Sequence, residues 1–163
     1  MPLIKGGRFV EDAFVYIGDS DPLPPSANPI VSFERFRKER NTLLERNGPF
    51  GVHLKPGDDP ALLRDDIERI GVIAVEFPTF RDGRGFSRAR VLRSRLGFKG
   101  EIRAVGHFLY DQLAFMVRTG FDAFEVPQTF REEDFQRALK EMSYFYQPSV
   151  DGKKTIRELR AAR

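Results

Sequence analysis

Cysteine is absent from this sequence, and so is tryptophan. Without cysteine the chain has no disulfide bond, no thiolate nucleophile and no iron–sulfur or zinc site built on thiolates. The two histidines, His53 and His107, are far apart in the sequence, and no acidic cluster has metal-ligand spacing. We therefore predict no metal site. The lack of cysteine also fits the reducing cytoplasm, where we expect the protein.

Long apolar runs are missing too. The first residues, MPLIKGGRFVEDAF, lack the apolar segment of a signal peptide, and no stretch reaches the roughly 20 apolar residues that a membrane span needs. We therefore expect no membrane partner. With 40% hydrophobic residues and 16 phenylalanines, the 163 residues suffice for one domain with a sizeable core. We expect a single domain over residues 1–147 and a polar, basic tail over 148–163, either mobile or a short exposed helix.

Positive charge is concentrated in one part of the chain. Between Arg81 and Arg103, eight arginines and lysines accompany two acidic residues, which gives a local charge of +6, whereas the whole chain carries +3. A concentrated positive field favours a small anion or an acidic protein as partner. Nucleic-acid binding is disfavoured, because the sequence contains no aromatic and basic array of the kind that reads bases.

Strands and helices alternate along the sequence. Apolar segments predict five strands, at residues 14–18, 50–55, 71–77, 101–106 and 121–126. Helical spacing and capping residues predict helices that begin at Ser32, at Asp59, near Ser87, at His107 and, with Glu132 in a capping box, at Thr129. The apolar run at 71–77 indicates a strand covered by helices on both faces. The fold is therefore expected to be α/β, with a mostly parallel sheet that is either open or part of a barrel.

Ligands of parallel α/β sheets bind at the carboxyl ends of the strands. Two polar loops, PTFRDGRGFS and GHFLYDQ, follow neighbouring predicted strands, and we expect them to form one electropositive site. Glycines allow close approach of a ligand, while helix N-terminal N–H groups and arginines attract anions. The residues assigned to the site are Asp82, Gly83, Arg84, Gly85, Ser87, Arg88, Arg103 and Gln112.

Both parts of this assignment have a structural alternative. The segment 82–87 matches neither the dinucleotide-binding fingerprint nor a phosphate-binding P-loop, so it also fits a turn in which Asp82 caps the following helix. The arginines of that helix also fit a solvated face whose aliphatic stems cover the edge of the core. The residues alone leave these alternatives open.

Charged residues elsewhere suggest two further arrangements. Glu76 and Arg103 lie within apolar strands, and a pair between them would offset the cost of burying either charge. The alternative is that they lie at the mouth of the strands, in the site. His107, Asp111 and Arg118 are predicted on one helix face. His107 and Asp111 are then the candidates for acid–base catalysis, although such a pair also fits an ordinary helix surface.

An ordered set of motifs runs from Glu76 to Val126: EFPTF, DGRG with a serine two residues on, LR, GFKGEIRAVG, DQ and GFDAFEV. In these motifs the chain resembles the uncharacterised bacterial family DUF934, over roughly residues 51–126. Ten residues stand at recurrent polar and glycine positions of that family: Asp82, Gly83, Arg84, Gly85, Ser87, Arg93, Arg103, Gly106, Asp111 and Gln112. His107 departs from the pattern, because relatives carry a carboxylate there, and this counts against His107 as a general base.

The resemblance implies a small cytoplasmic protein encoded beside assimilatory sulfite or nitrite reductase, and members carry the label of an oxidoreductase of sulfite reduction. It implies no catalytic residue. We expect an accessory protein of assimilatory sulfite reduction that binds an anion or an acidic redox partner, such as a sulfite reductase component. The alternative is an oxidoreductase that uses a diffusible nicotinamide or flavin. The cofactor stays open, because the sequence contains no signature for either.

Overall fold

The computed structural model describes residues 1–162 as one α/β domain around a single eight-stranded sheet. The strands are β1 (Leu3–Lys5), β2 (Arg8–Val10), β3 (Phe14–Tyr16), β4 (Asn28–Ser32), β5 (Phe50–Leu54), β6 (Ile70–Phe77), β7 (Glu101–Gly106) and β8 (Ala123–Glu125). Their order in the sheet is β2-β1-β8-β7-β6-β5-β4-β3. Neighbouring strands from β3 to β8 are parallel, whereas β1 is antiparallel to both β2 and β8. The predicted α/β class is confirmed, but the predicted number of five strands is wrong.

Short helices connect the strands. They are α1 (Phe33–Lys38), α2 (Arg40–Leu44), α3 (Arg84–Ser94), α4 (Leu113–Thr119), α5 (Glu132–Lys140) and α6 (Ile156–Ala161), with 3₁₀ helices at Pro60–Asp66 and Tyr110–Gln112. None of the helices within residues 1–162 has the length and apolar character needed to cross a membrane.

The helices cover only one face of the sheet, so the prediction that helices cover both faces is wrong. On the helical face, alternate residues of β6 such as Ile73 and Val75 pack with buried residues of α1 to α5 in the main core. A second, smaller cluster on the opposite face is formed by strand residues alone: Phe14, Ile30, Val72, Ala74 and Val105. The continuous apolar run of β6 reflects these two clusters, because successive strand residues point to opposite faces.

The sheet curls around this second cluster. β2 and β3 form its two edges, yet only three residues separate Val10 from Phe14, which limits the distance between these Cα atoms to about 14 Å. The hydroxyl of Tyr16 on β3 donates a hydrogen bond to Oε1 of Glu125 on β8 at 2.6 Å, across the inside of the curl. The architecture is an open half-barrel, in agreement with the partial barrel that was one of the two predicted arrangements.

Several helix boundaries differ from the predictions. The helix predicted from Asp59 is a 3₁₀ helix that ends at Asp66, because Ile70 already belongs to β6. The residues predicted as one helix from His107 form a loop, a 3₁₀ turn and α4, which ends as expected at Gly120 with a φ of +109°. The last predicted helix starts at Glu132, because the carboxylate of Asp134, and not a Thr129–Glu132 pair, accepts a hydrogen bond from the preceding backbone.

Residues after Gln147 contact the body of the domain. The buried guanidinium of Arg118 on α4 donates hydrogen bonds to the carbonyl of Gln147 and to the carboxylate of Asp151, at 2.9 and 3.0 Å. The hydroxyl of Ser149 donates in return to the carbonyl of Arg118 at 2.6 Å. These bonds hold residues 147–151 against α4, and the mostly exposed helix α6 follows.

Candidate functional site

The two loops assigned to the site lie side by side. The N–H of His107, after β7, donates to the carbonyl of Phe77 at the end of β6, at 2.7 Å. The amide of Gln112 donates to the carbonyl of Phe80 at 2.9 Å, and its oxygen accepts from the N–H of Leu109. The predicted proximity of these loops is therefore present, and Gln112 holds them together rather than pointing into an open site.

The Asp-Gly-Arg-Gly turn begins helix α3. The carboxylate of Asp82 accepts the N–H of Arg84 at 3.1 Å and pairs with its guanidinium at 2.5 Å. These hydrogen bonds lower the pKa of Asp82 to about 2. Gly83 lies in open space, whereas a Cβ on Gly85 would collide with the ring of Phe77. The N-cap residue of α3 is therefore Gly83, and Asp82, one residue earlier, accepts the N–H of the first helical residue, while Arg84 stays largely exposed.

Arg88, one turn further along α3, is partly buried. Its guanidinium donates to the carbonyls of Asp58 and Pro56 in the loop after β5, while Nη1 is buried without a hydrogen-bond partner within residues 1–162. Burial, followed by the repulsion of Arg84, lowers the pKa of Arg88 from its ordinary value. A negative charge placed between Arg84 and Arg88 would relieve this repulsion.

A groove between α3 and the 3₁₀ helix Pro60–Asp66 contains these groups. We call it the arginine groove. It has a volume of about 450 Å³ and a floor that includes Pro60, Val91 and Leu96. The polar residues that line it are Arg64, Arg84, Arg88, Arg95, Asp58, Asp59 and Ser87, so that the lining carries a charge of +2. Asp82, which pairs with Arg84 from outside the lining, reduces the local charge to +1. Three of the predicted site residues, Arg84, Ser87 and Arg88, therefore lie together here.

Arg103 is not part of this groove. It lies on the inner face of the curled sheet, where only 1% of its side chain is exposed. Its guanidinium binds both carboxylate oxygens of Asp12, at 2.6 and 2.9 Å, Glu101 at 2.9 Å and Glu125 at 3.3 Å. The expected single electropositive site that includes Arg103 is therefore not formed. The predicted pair with Glu76 is also absent, because β6 places Glu76 beside Val105 instead.

A second cavity opens on the inner face, at the carboxyl ends of the parallel strands. We call it the strand-end cavity. It has a volume of about 440 Å³, and its lining includes Tyr16, His53, Glu76, Gly106, His107 and Glu125. Nε2 of His53 lies 3.1 Å from Oε2 of Glu76, but without hydrogen-bond geometry. Burial and the hydrogen bond to Glu125 raise the pKa of Tyr16 far above its ordinary value, so its hydroxyl stays protonated.

The candidates for acid–base catalysis are not joined into a unit. His107 belongs to the loop after β7, Asp111 to the 3₁₀ turn and Arg118 to α4, so the prediction that they share one helix face is wrong. Arg118 pairs with Asp151. Within residues 1–162, no hydrogen bond or ion pair connects His107 with Asp111, and no group of His, Asp and Glu is arranged to hold a metal ion.

His53 is expected to titrate below its ordinary pKa. Burial lowers the pKa of His53, and the charge of Glu76 offsets this only in part. The folded state therefore favours neutral His53. The contribution of neutral His53 to folding stability is present above the ordinary histidine pKa of 6.5 and is lost as the pH falls through the lowered pKa. A proton NMR titration of the imidazole should give a midpoint below 6.5, and Glu76→Gln should lower it further. A midpoint at or above the ordinary value would contradict the burial.

The sequence-based prediction included Glu76 and Arg103 but assigned neither His53 nor Glu125 to a site, although the sequence contains a signal for the inner face. In each of the strands β5 to β8, a polar residue alternates with buried apolar ones: His53, Glu76, Arg103 and Glu125. Polar residues at a spacing of two in buried strands indicate a second, polar face. In the arginine groove, Arg95 follows Arg88 by seven residues, so helical spacing predicts both on one side of α3. Arg64 lacks such a signal, because it comes from another helix that only the fold brings to the groove.

Comparison with known families agrees with the resemblance seen in the motifs. The family model described as a bacterial protein of unknown function (DUF934) matches residues 51–157, which is more than half of the chain. Neither the curated proteins nor the solved structures contain a significant match. The matched range includes β5 apart from its first residue, β6 to β8, α3 to α5 and every polar residue of the arginine groove. The chain therefore belongs to the DUF934 family of bacterial proteins.

Proposed function

We propose that this protein is a cytoplasmic accessory protein that binds an acidic polypeptide of a partner protein in the arginine groove. The observation that carries the proposal is the convergence of four arginines from two helices around an apolar floor. Cationic side chains around an apolar centre suit a segment that combines acidic and apolar residues.

The length of the groove favours a polypeptide over a small anion. Arg84, Arg88 and Arg95 lie on one face of α3, and the first and last are separated by about 16 Å along the helix axis. A single sulfite, sulfate or phosphate can bridge the neighbouring Arg84 and Arg88 but cannot also reach Arg95. A segment of several acidic residues can contact all three.

Sulfite reductase components are the first partners to test, because the resemblance in the motifs links the family to assimilatory sulfite reduction. The oxidoreductase alternative receives less support. The strand-end cavity is lined by Glu76 and Glu125, whose charges would repel the phosphates of a nicotinamide or flavin nucleotide. A rise in melting temperature with NADPH or FMN would favour that alternative.

Charge reversal in the groove tests the proposal. Arg64→Glu combined with Arg95→Glu changes two exposed side chains of the rim and leaves the core intact. Fluorescence anisotropy should show that the wild type binds labelled poly-L-glutamate, as a model acidic polypeptide, with an affinity that falls as salt rises. We expect the double variant to bind at least about tenfold more weakly.

The matched control is Arg37→Glu with Arg90→Glu, which changes two exposed arginines outside the groove and alters the net charge equally. It should retain most of the affinity. Equal losses of affinity in both double variants would show that binding depends only on overall charge and would contradict binding in the groove.

Calorimetry with sulfite, sulfate and phosphate is a second experiment. Tight binding of these anions without binding of the polypeptide would replace the proposed partner with a small anion. A third arm repeats the comparison with purified sulfite reductase.

A further inference from the structure

The strand-end cavity has the position of a ligand site, independently of the arginine groove. It opens where β5, β6 and β7 end, and the carboxyl ends of parallel strands are where α/β sheets bind their ligands. Its volume of about 440 Å³ lies within the range of small-molecule sites. It is on the inner face of the sheet, whereas the arginine groove lies among the helices on the outer face.

The charge around this cavity is negative. The ion-paired groups of the inner face are the carboxylates of Asp12, Glu76, Glu101 and Glu125 and the cations of Arg103 and Lys5, a local charge of −2. Lys55 and Asp58 also act on His53, but their opposite charges leave this sum unchanged. Lys5 and Arg103 pair with the other carboxylates, so that Glu76 faces the cavity without a cationic partner within residues 1–162. This excess of negative charge disfavours an anionic ligand and favours a cationic one.

The other lining groups suit an organic cation. The rings of Tyr16 and His53 meet edge to face with centroids 5.9 Å apart, and His107 completes the rim. Aromatic faces together with carboxylates are the groups that bind ammonium and guanidinium ions in proteins. Nε2 of His53 is buried and makes no hydrogen bond within the described residues, which leaves one polar atom available to a ligand.

We propose that the strand-end cavity binds a small organic cation, with the ammonium or guanidinium group of the ligand against Glu76 and its aliphatic part along Tyr16 and Val105. Glu125 accepts the hydroxyl of Tyr16 and orients that ring. A metal ion is not the expected occupant, because residues 1–162 contain no group of three or more suitable ligands. The same chemistry is available from a free amine or from a lysine or arginine side chain of a polypeptide.

The histidines provide a direct assay. The chain contains only two, His53 and His107, and both line this cavity. At a pH above the ordinary pKa of histidine, the imidazole NMR signals of the full-length protein should shift saturably on addition of agmatine or spermidine. Nα-acetyl-lysine methylamide, which keeps a free ε-ammonium group, tests the lysine side chain of a polypeptide instead. Binding of the free amines alone assigns a metabolite, and binding of the lysine derivative assigns a protein segment.

Variants of Glu76 give the decisive comparison. Glu76→Gln should weaken binding at least about tenfold, because a charge-assisted hydrogen bond is replaced by a neutral one. Glu76→Asp keeps the charge and should retain most of the affinity, and Glu133→Gln, an exposed carboxylate on α5, should bind like the wild type. The proposal is overturned if no cation shifts either imidazole, if Glu76→Gln binds as well as the wild type, or if sulfate produces the shifts instead. None of these outcomes bears on poly-L-glutamate binding by the arginine groove.

Discussion

Replacement of Arg103 by alanine is expected to lower the free energy of unfolding by about 3–5 kcal/mol, the range for breaking a buried ion pair on one side. The guanidinium is 1% exposed and holds Asp12, Glu101 and Glu125, which come from three separate parts of the chain. Without it, the largely buried Glu101 keeps only Lys5 as a partner, and the largely buried Glu125 keeps only the hydroxyl of Tyr16. Urea unfolding monitored by circular dichroism measures the loss.

Arg90→Ala is the matched control, because Arg90 is an exposed arginine on α3. It should change the free energy of unfolding by no more than about 0.5 kcal/mol. A loss of less than about 1 kcal/mol in Arg103→Ala would mean that the carboxylates find other partners. The stability of the inner face would then not depend on Arg103.

The effect of Arg103 should also depend on pH. Although burial opposes it, the hydrogen bond from Arg103 lowers the pKa of Asp12 below its ordinary value of 3.8. A lowered carboxyl pKa stabilises the fold above the ordinary value and loses that contribution as the pH falls through the lowered one. The difference in unfolding free energy between wild type and Arg103→Ala should therefore be largest at neutral pH. It should decrease as the pH falls below the ordinary pKa of Asp12.

Gly106→Ala is expected to cost about 3 kcal/mol of unfolding free energy, from backbone strain together with steric overlap. Gly106 has a φ of +91°, and a Cβ at this position would lie 2.5 Å from the carbonyl oxygen of Phe77. That carbonyl also accepts the N–H of His107. The substitution should therefore separate the loops after β6 and β7 and displace His107 from the strand-end cavity.

Gly97→Ala separates the two contributions. Gly97 also has a positive φ, +67°, but a Cβ there would meet no atom within 4 Å. Gly97→Ala should lower the free energy of unfolding through backbone strain alone, by about 1 kcal/mol. Thermal unfolding of both variants gives the comparison. Equal losses would show that the close approach of Gly106 to β6 contributes nothing.

The repeating strand–helix units of the fold follow from local sequence. β5 to β8 were all predicted, because their apolar segments are bounded by turn residues and separated by amphipathic stretches. The N-terminal hairpin was missed, since β1 and β2 have only three residues each. Gly6 and Gly7, with φ values of +60° and +83°, form the two-residue turn between them. A Gly-Gly pair between the apolar residues Ile4 and Phe9 is nevertheless a hairpin signal in the sequence.

β4 was missed for a different reason. It begins at the end of a segment rich in proline and serine, and Pro29 lies within the strand. Proline removes a backbone donor and is a reason to reject a strand from local sequence. The pairing of Ile30 with Gly51 on β5 and with Tyr16 on β3 stabilises β4 through contacts that are distant in sequence.

The candidate site was predicted in part. Proximity of the two loops follows from the order of adjacent parallel strands, and the clustering of Arg84, Ser87 and Arg88 follows from helical spacing. The environment of Arg103 does not follow from local sequence. Its main partner, Asp12, is 91 positions away and reaches it only because the sheet curls. The positive charge of the segment 81–103 is therefore divided between two faces of the sheet.

Hydrogen–deuterium exchange with and without poly-L-glutamate tests the central claim, the binding of an acidic polypeptide in the arginine groove, most directly. The account predicts slower exchange within the 3₁₀ helix Pro60–Asp66 and along α3, with no change in β1, β2 and β3, and loss of the effect in Arg64→Glu/Arg95→Glu. Protection confined to other elements, or unchanged protection in the double variant, would contradict it.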